Sequence, residues 1–266
     1  MISIIMPAYD ASNYINAAIE SVIDQTFTKW ELIIINDGSK DETGDIVKSY
    51  NDARIRYFEQ ENRGVSVARN LGLEKVRGNY FCFLDTDDVI PTESLQARLN
   101  VFNQQPDISF VDGRVIYMNE DMTIVEREYV PKFTGYPYKE LLRLNSDCYF
   151  GPSWMIKREN DVQYRFVEGM THAEDLYFYI SISKGKKYSY TSKEVLHYRV
   201  TGQSAMSNLQ GLEKGYKILY NKIKSDQKPN HWVLINLRIK LKKIMFLSYF
   251  FDGKMPLKAL KALLSL

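Results

Sequence analysis

Over the first third of the chain, short apolar runs alternate with apolar residues at helical spacing. Ile2-Ser3-Ile4-Ile5-Met6 predicts a strand stopped by Pro7, and Ile15, Ala18, Ile19, Val22 and Ile23 predict a helix within Ser12 to Gln25. Glu31-Leu32-Ile33-Ile34-Ile35 is nearly continuous and β-branched, as a parallel strand buried on both faces requires. It runs into Asn36-Asp37-Gly38-Ser39, a turn. Asp41 or Thr43 then caps a helix to Tyr50, Ile55 to Phe58 forms a third strand, and Val65 to Val76 forms a helix closed by Gly78. Tyr80 to Leu84 is a fourth strand, leading straight into Asp85-Thr86-Asp87-Asp88. This rhythm predicts an α/β fold: a doubly wound, mainly parallel sheet with helices on both faces and ligands at the carboxyl ends of its strands.

After a helix over Ser94 to Gln104 and a strand over Ile108 to Val111, the pattern becomes mixed. Arg114 to Met118 and Thr123 to Tyr129 read as a hairpin around Asn119-Glu120-Asp121-Met122. Tyr138 to Leu144 predicts a helix, Trp154 to Lys157 a short strand, Ala173 to Ser183 a helix and Tyr188 to Val200 a strand, with the core ending near Met206. There is no internal repeat or low-complexity segment.

Composition changes the picture little. The 266 residues are 45% hydrophobic and 26% charged, as in ordinary folded proteins. The longest uninterrupted candidate for a membrane span, Ile244 to Phe251, is far too short. The N-terminus has no basic region and reaches Asp10 too early for a secretory signal, so the expected location is the cytoplasm or the inner face of the plasma membrane. Cys82 and Cys148 are expected as reduced thiols.

Charge is more informative. The chain is +2 overall, yet from Leu212 onward it carries 12 basic and 3 acidic residues, which leaves 23 basic and 30 acidic before that point. An acidic body argues against nucleic acid as a partner. The expected organisation is a folded body over 1–211, in two halves that divide at about 112, followed by a basic helical tail over 212–266. In the tail, Val233, Leu234, Leu237, Leu241, Ile244 and Met245 share one helical stripe, while Ile235, Ile239 and Phe246 form a second ridge. The helices suit contact with a membrane surface, or packing on the body or on a second copy of the chain.

Asp85-Thr86-Asp87-Asp88 is the densest chemistry. Several carboxylates at one strand end repel one another unless a cation is present, and Mn²⁺ or Mg²⁺ prefers such oxygen ligands together with substrate phosphates. By itself the segment is equally an acidic turn capping the next helix.

Its context shifts the balance. Asn62-Arg63-Gly64 through Gly72, then Gly78-Asn79-Tyr80 through Asp88, resembles the family-two glycosyltransferases, nucleotide-sugar enzymes of the GT-A fold. Pro7-Ala8-Tyr9, Gln25-Thr26-Phe27, Asn36-Asp37-Gly38-Ser39 and Glu174-Asp175 follow the same family pattern in order, with Asn36 where the family usually has a second aspartate.

The resemblance implies an inverting, metal-dependent transfer from a nucleotide sugar, with UDP favoured, to a glycan or lipid-linked saccharide. Pro7 and Tyr9 would lie at the nucleotide, with Tyr9 stacking on the base and Asp37 accepting a hydrogen bond from it. Arg69 would supply positive charge near base or phosphate. Asp85 would hold ribose or a metal-bound water, and Asp87 and Asp88 the metal. Asp175 would be the base that deprotonates the acceptor, with Glu174 orienting or binding the acceptor. Arg199 or His197, from His197-Tyr198-Arg199 and the following Thr201-Gly202-Gln203-Ser204, would contact the diphosphate, and His172 would border the acceptor pocket. The alternative is a non-catalytic glycan- or nucleotide-binding scaffold that retains the fold, or a nucleotidyltransferase, which would need a glycine-rich turn after the first strand.

Overall fold

The two most apolar runs form the centre of the sheet. In the computed structural model, which describes residues 1–148, 151–201 and 208–265, β1 (Ile2–Ala8) and β2 (Trp30–Asn36) are buried along their whole length and pair in parallel. They are flanked by β3 (Ile55–Glu59) beyond β2 and β4 (Tyr80–Phe83) beyond β1, both also parallel. The connecting helices are α1 (Ile15–Ile23), α2 (Thr43–Ser49) and α3 (Val65–Lys75). This is the parallel sheet the alternation predicts.

One boundary differs. Pro7 does not end β1, which continues to Ala8, with Pro7 opposite Ile35 of β2. The pairing with β4 stops at Ile5, so the position of Pro7 needs no donor on that side and a residue without an N–H fits.

The second half closes the sheet in antiparallel sense. After α4 (Ser94–Gln104) come β5 (Phe110–Met118), β6 (Val125–Tyr129), α5 (Tyr138–Leu142), β7 (Met155–Lys157), α6 (Glu174–Ser183) and β8 (Tyr188–Arg199). The order across the sheet is β3-β2-β1-β4-β7-β5-β6, and β8 pairs with β5 in parallel. The two strands expected over Ile108 to Val111 and Arg114 to Met118 are one strand, β5, whose register shifts around Asp112 to Val115. At Gly113 a Cβ would lie 2.3 Å from Val195 Cγ1, so β8 approaches more closely there than any side chain allows. Residue 112, where the halves were expected to divide, lies inside this strand.

Side chains alternate between the two faces. Ile2, Ile4, Met6, Leu32 and Ile34 pack with α1 and α4 on one side; Ile5, Ile33, Phe81 and Phe83 pack with α3 and α6 on the other. Both cysteines are buried and unbridged.

The tail comprises α7 (Leu209–Lys222), α8 (His231–Leu247) and α9 (Pro256–Ser265). Leu212, Leu219, Leu237, Leu241 and Met245 join the same apolar core as α6. No described helix is long and apolar enough to cross a membrane.

Candidate active site

The carboxyl ends of β1, β2 and β4 lie side by side, and the polar residues that follow them make the site. After β1, Tyr9 is 46% exposed, the aromatic face most open to a ligand in this region. After β2, Asp37 is buried, and its backbone N–H donates to Ala8 O at 2.8 Å. Its carboxylate organises the next loop: Oδ1 accepts from Gln60 Nε2 (2.6 Å) and the Arg63 N–H (2.9 Å), and Oδ2 from the Gly64 N–H (2.8 Å). What remains for a base is the second lone pair of Oδ2.

The turn after β4 separates its three acids. Asp85 is partly exposed and accepts from Arg69 Nη2 at 2.9 Å. Asp87 combines burial with the nearby charge of Asp85, which together push its carboxyl up to about 6. Asp88 is fully buried, with Oδ1 accepting the Arg199 N–H at 2.9 Å and Oδ2 without a hydrogen-bond partner. Burial, then Asp87 and Asp85, drive its carboxyl well above the ordinary range.

Asp88, expected to share a metal with Asp87, holds the Arg199 N–H through Oδ1 in this structure. The turn rotates Asp88 into the protein, where it fastens the end of β8. Arg199, expected at the diphosphate, lies behind the same turn. Its Nε donates to Asp87 O (2.7 Å), its Nη1 to Glu120 O, and its guanidinium lies over the Tyr14 ring, so it braces the acidic turn. His197 is the other residue expected at the diphosphate. Its backbone bridges to Val89, and its Nε2 lies 3.0 Å from Glu194 Oε2 on the same strand, so the ring is engaged along the sheet. Gly202, Gln203, Ser204 and Met206 lie outside the described residues.

Arg69 joins this turn to the second half of the chain. On α3 and 6% exposed, it pairs through Nη2 with Asp85 and through Nη1 with Glu174 Oε1 at 3.1 Å. Burial disfavours its charge, but the two carboxylates outweigh that and hold its pKa above the ordinary value. Arg69, expected to supply positive charge near base or phosphate, thus has both ends of its guanidinium paired with carboxylates in this structure. Glu174 is raised to about 7, first by burial and then by Asp175, with Arg69 opposing.

Glu174 and Asp175 form the first turn of α6, where carboxylates suit the helix dipole. Asp175 Oδ1 accepts the Leu176 N–H at 2.7 Å, and Oδ2 lies on the side of Gly151. The preceding residue, Ala173, adopts left-handed backbone at φ 59°, so the chain turns sharply into the helix.

That turn is held from the tail side. His172 is 8% exposed, packed beneath α7, and its Nδ1 lies 3.0 Å from Thr171 Oγ1. His172, expected to border the acceptor pocket, thus lies buried just before the start of α6. A Cβ on Gly215 would lie 2.6 Å from His172 O, and one on Gly211 2.4 Å from His172 Cε1. Tyr216, next to Gly215, has its phenol raised by burial and by Asp175. None of these tail residues stood out in the sequence, although Gly-x-x-x-Gly on a helix was a readable sign of close approach.

As a metal site, the turn fits on the chemistry of its donors. No group of three or more His, Cys, Asp or Glu among the described residues gathers to hold an ion by itself. A Mg²⁺-like ion takes one or two carboxylates and completes its shell with water and substrate phosphates, and Asp87, with Asp85 beside it, offers that.

Residues 3–164 match glycosyl transferase family 2. The undecaprenol-linked glucosyltransferase WfgD of Escherichia coli, named as UDP-Glc:α-D-GlcNAc-diphosphoundecaprenol β-1,3-glucosyltransferase, is 29% identical over 92% of this chain and 96% of its own. An uncharacterised glycosyltransferase of Rickettsia bellii is 31% identical over 76% of this chain, which spans only 29% of that protein's length. A crystal structure of Staphylococcus aureus TarS 1-349 with UDP-GlcNAc superposes with a TM-score of 0.68 at 19% identity, over 94% of this chain and 73% of that one.

Proposed function

We propose, because the chain belongs to glycosyl transferase family 2, that it takes a sugar from a UDP-sugar and transfers it, with inversion, to a lipid-linked saccharide. The observation that carries this reading is the double pairing of Arg69, which puts the acidic turn after β4 and the acidic start of α6 within reach of one guanidinium. A donor held at one and an acceptor at the other meet between them. The lipid-linked acceptor is supported by the likeness to WfgD.

In this reading Tyr9 stacks on the base, Asp37 accepts from it, and Asp85 holds the ribose or a metal-bound water. Asp87 would hold a Mn²⁺ or Mg²⁺ ion, which would supply Lewis-acid stabilisation of the diphosphate. Asp175 removes the proton of the acceptor hydroxyl as that oxygen bonds to the anomeric carbon and the bond to the diphosphate breaks on the opposite face. Glu174, kept near Arg69, orients the acceptor. The C-terminal helices are left with a partner of their own, a membrane surface or a second copy of the chain.

A panel of nucleotide sugars, followed by release of free nucleotide, tests the donor. Slow hydrolysis of one UDP-sugar is expected with Mn²⁺ or Mg²⁺, together with UDP binding that weakens markedly in chelator. Equal affinity with and without metal removes the ion from the reading, and silence across the whole panel removes the reaction.

The seat of His172 offers a second test. In Gly215→Ala the added Cβ meets His172 O, shifting the residues before Glu174 and Asp175. Transfer is expected to fall about tenfold or more with donor KM little changed, because small misplacements of reacting groups are costly. Unchanged kcat in a folded variant denies α7 any part in setting the acidic pair.

A further inference from the structure

The tail helices present apolar side chains on two opposite sides, and the body covers only one. On α8, Leu237, Leu241 and Met245 face inward and are essentially fully buried, as are Ala259 and Ala262 on α9. On the opposite ridge of α8 Ile239 is 60% exposed, while Ile235 and Phe246 are half-buried and Phe246 packs against the core, and the ridge continues into the π-helical turn Ser248–Asp252. There Phe246 stacks on Phe250 at 5.7 Å between ring centres, and Phe251 meets Phe250 edge-on at 5.1 Å. Trp232 at 73% exposure, Phe251 at 65%, Leu257 at 76% and Leu264 at 84% extend the apolar surface from the start of α8 to the end of α9. Isolated exposed apolar residues are ordinary, but two successive helices that keep an outward row of them are not.

The charge around this surface selects its occupant. Lys243, Lys254, Lys258 and Lys261 are exposed beside the apolar row. Of the three acids in the tail, Glu213 is engaged by Tyr249 Oη (2.8 Å) and Lys217, and Asp226 by Tyr177 Oη (2.6 Å) and Lys222, which leaves Asp252. A second copy of the chain would set one strongly basic face against another. The acidic body before Leu212 would be repelled by an anionic surface as the tail is drawn to it, so the chain would approach tail first.

We infer that the outward faces of α8 and α9 dock on an anionic lipid bilayer, lying in its surface with Trp232, Phe250, Phe251 and the α9 leucines among the acyl chains and the lysines at the headgroups. Such docking needs no membrane span, and no described helix is long and apolar enough to be one. The inference rests on the proposed reaction only for its consequence, the placing of the active site beside a lipid-linked acceptor.

The test uses the full chain and vesicles of phosphatidylcholine with or without phosphatidylglycerol, in the absence of donor and acceptor. Co-sedimentation is expected with the anionic vesicles, weakening as salt rises, with a blue shift of tryptophan fluorescence that Trp232→Phe removes in large part. Phe251→Ser with Leu257→Ser, and separately Lys258→Glu with Lys261→Glu, are each expected to weaken vesicle binding about tenfold or more while UDP-sugar hydrolysis stays at the level of the unaltered chain. Failure of the unaltered chain to bind anionic vesicles overturns the inference. So does binding that both double variants retain, or a dimer in light scattering that Phe251→Ser dissolves, which would assign the face to a second copy. Vesicle binding without any hydrolysis would sink the proposed reaction and leave the docking surface standing.

Discussion

Asp175→Asn is expected to lower kcat for transfer by about 10²- to 10⁴-fold, the range a positioned general base contributes, while leaving UDP affinity little changed. Asparagine has the same shape, and its side-chain oxygen still accepts the Leu176 N–H that Asp175 Oδ1 accepts now, so the start of α6 is preserved. What disappears is the capacity to take a proton. Single-turnover transfer with saturating donor, alongside a UDP titration, separates the two effects. Transfer at the original rate would take the base away from Asp175, and loss of UDP binding would relocate the residue to the donor side.

Arg69→Met is expected to be the most destabilising single change at the site. Removing one member of a buried ion group costs about 3–5 kcal/mol, because the partners are left as uncompensated charge. Here two carboxylates lose their counterion together. The sign of the pH dependence follows. Without Arg69, Glu174, already raised to about 7 by burial and by Asp175, rises further, so the folded state holds a proton that the unfolded chain releases at ordinary carboxylate pH. The variant therefore regains stability as pH falls from 8 toward 5, relative to the unaltered chain, and denaturant unfolding at both values measures it. A penalty that is small, or the same at both pH values, would mean the guanidinium is not what neutralises this cluster.

How much of this was legible beforehand depends on the range over which each residue's fate is decided. β1, β2 and the helices between them were readable because a parallel strand buried on both faces has to be apolar throughout, a local property. β7 was readable as a strand, but its place between β4 and β5, antiparallel to both, was not, since three residues carry no signal of which neighbours they join. The same limit governs the site. Asp87 and Asp88 are adjacent and chemically identical, yet Asp87 stays partly exposed while Asp88 is buried, where its Oδ1 accepts the Arg199 N–H. Arg199 and His197 look like phosphate ligands by residue type, and their actual partners, Asp87 O, Glu120 O and Glu194, are choices made by the fold. The tail's inward stripe was legible as a helical period. That His172 sits under Gly211 and Gly215 was not, since it depends on how α7 crosses the loop before α6.

The bonds that complete the acidic turn span long stretches of chain: Asp88 to Arg199 crosses 111 positions and Arg69 to Glu174 crosses 105. During synthesis the ribosome delivers β1 to β4 first, and these strands can pair as they emerge. Until α6 is made, however, Arg69 has only one of its two carboxylates, and until β8 is made Asp88 has no amide to hold. The chain thus acquires its sheet well before it acquires a competent nucleotide turn. A nascent or prematurely terminated product that stops short of β8 carries the fold's signature without the means to engage a donor.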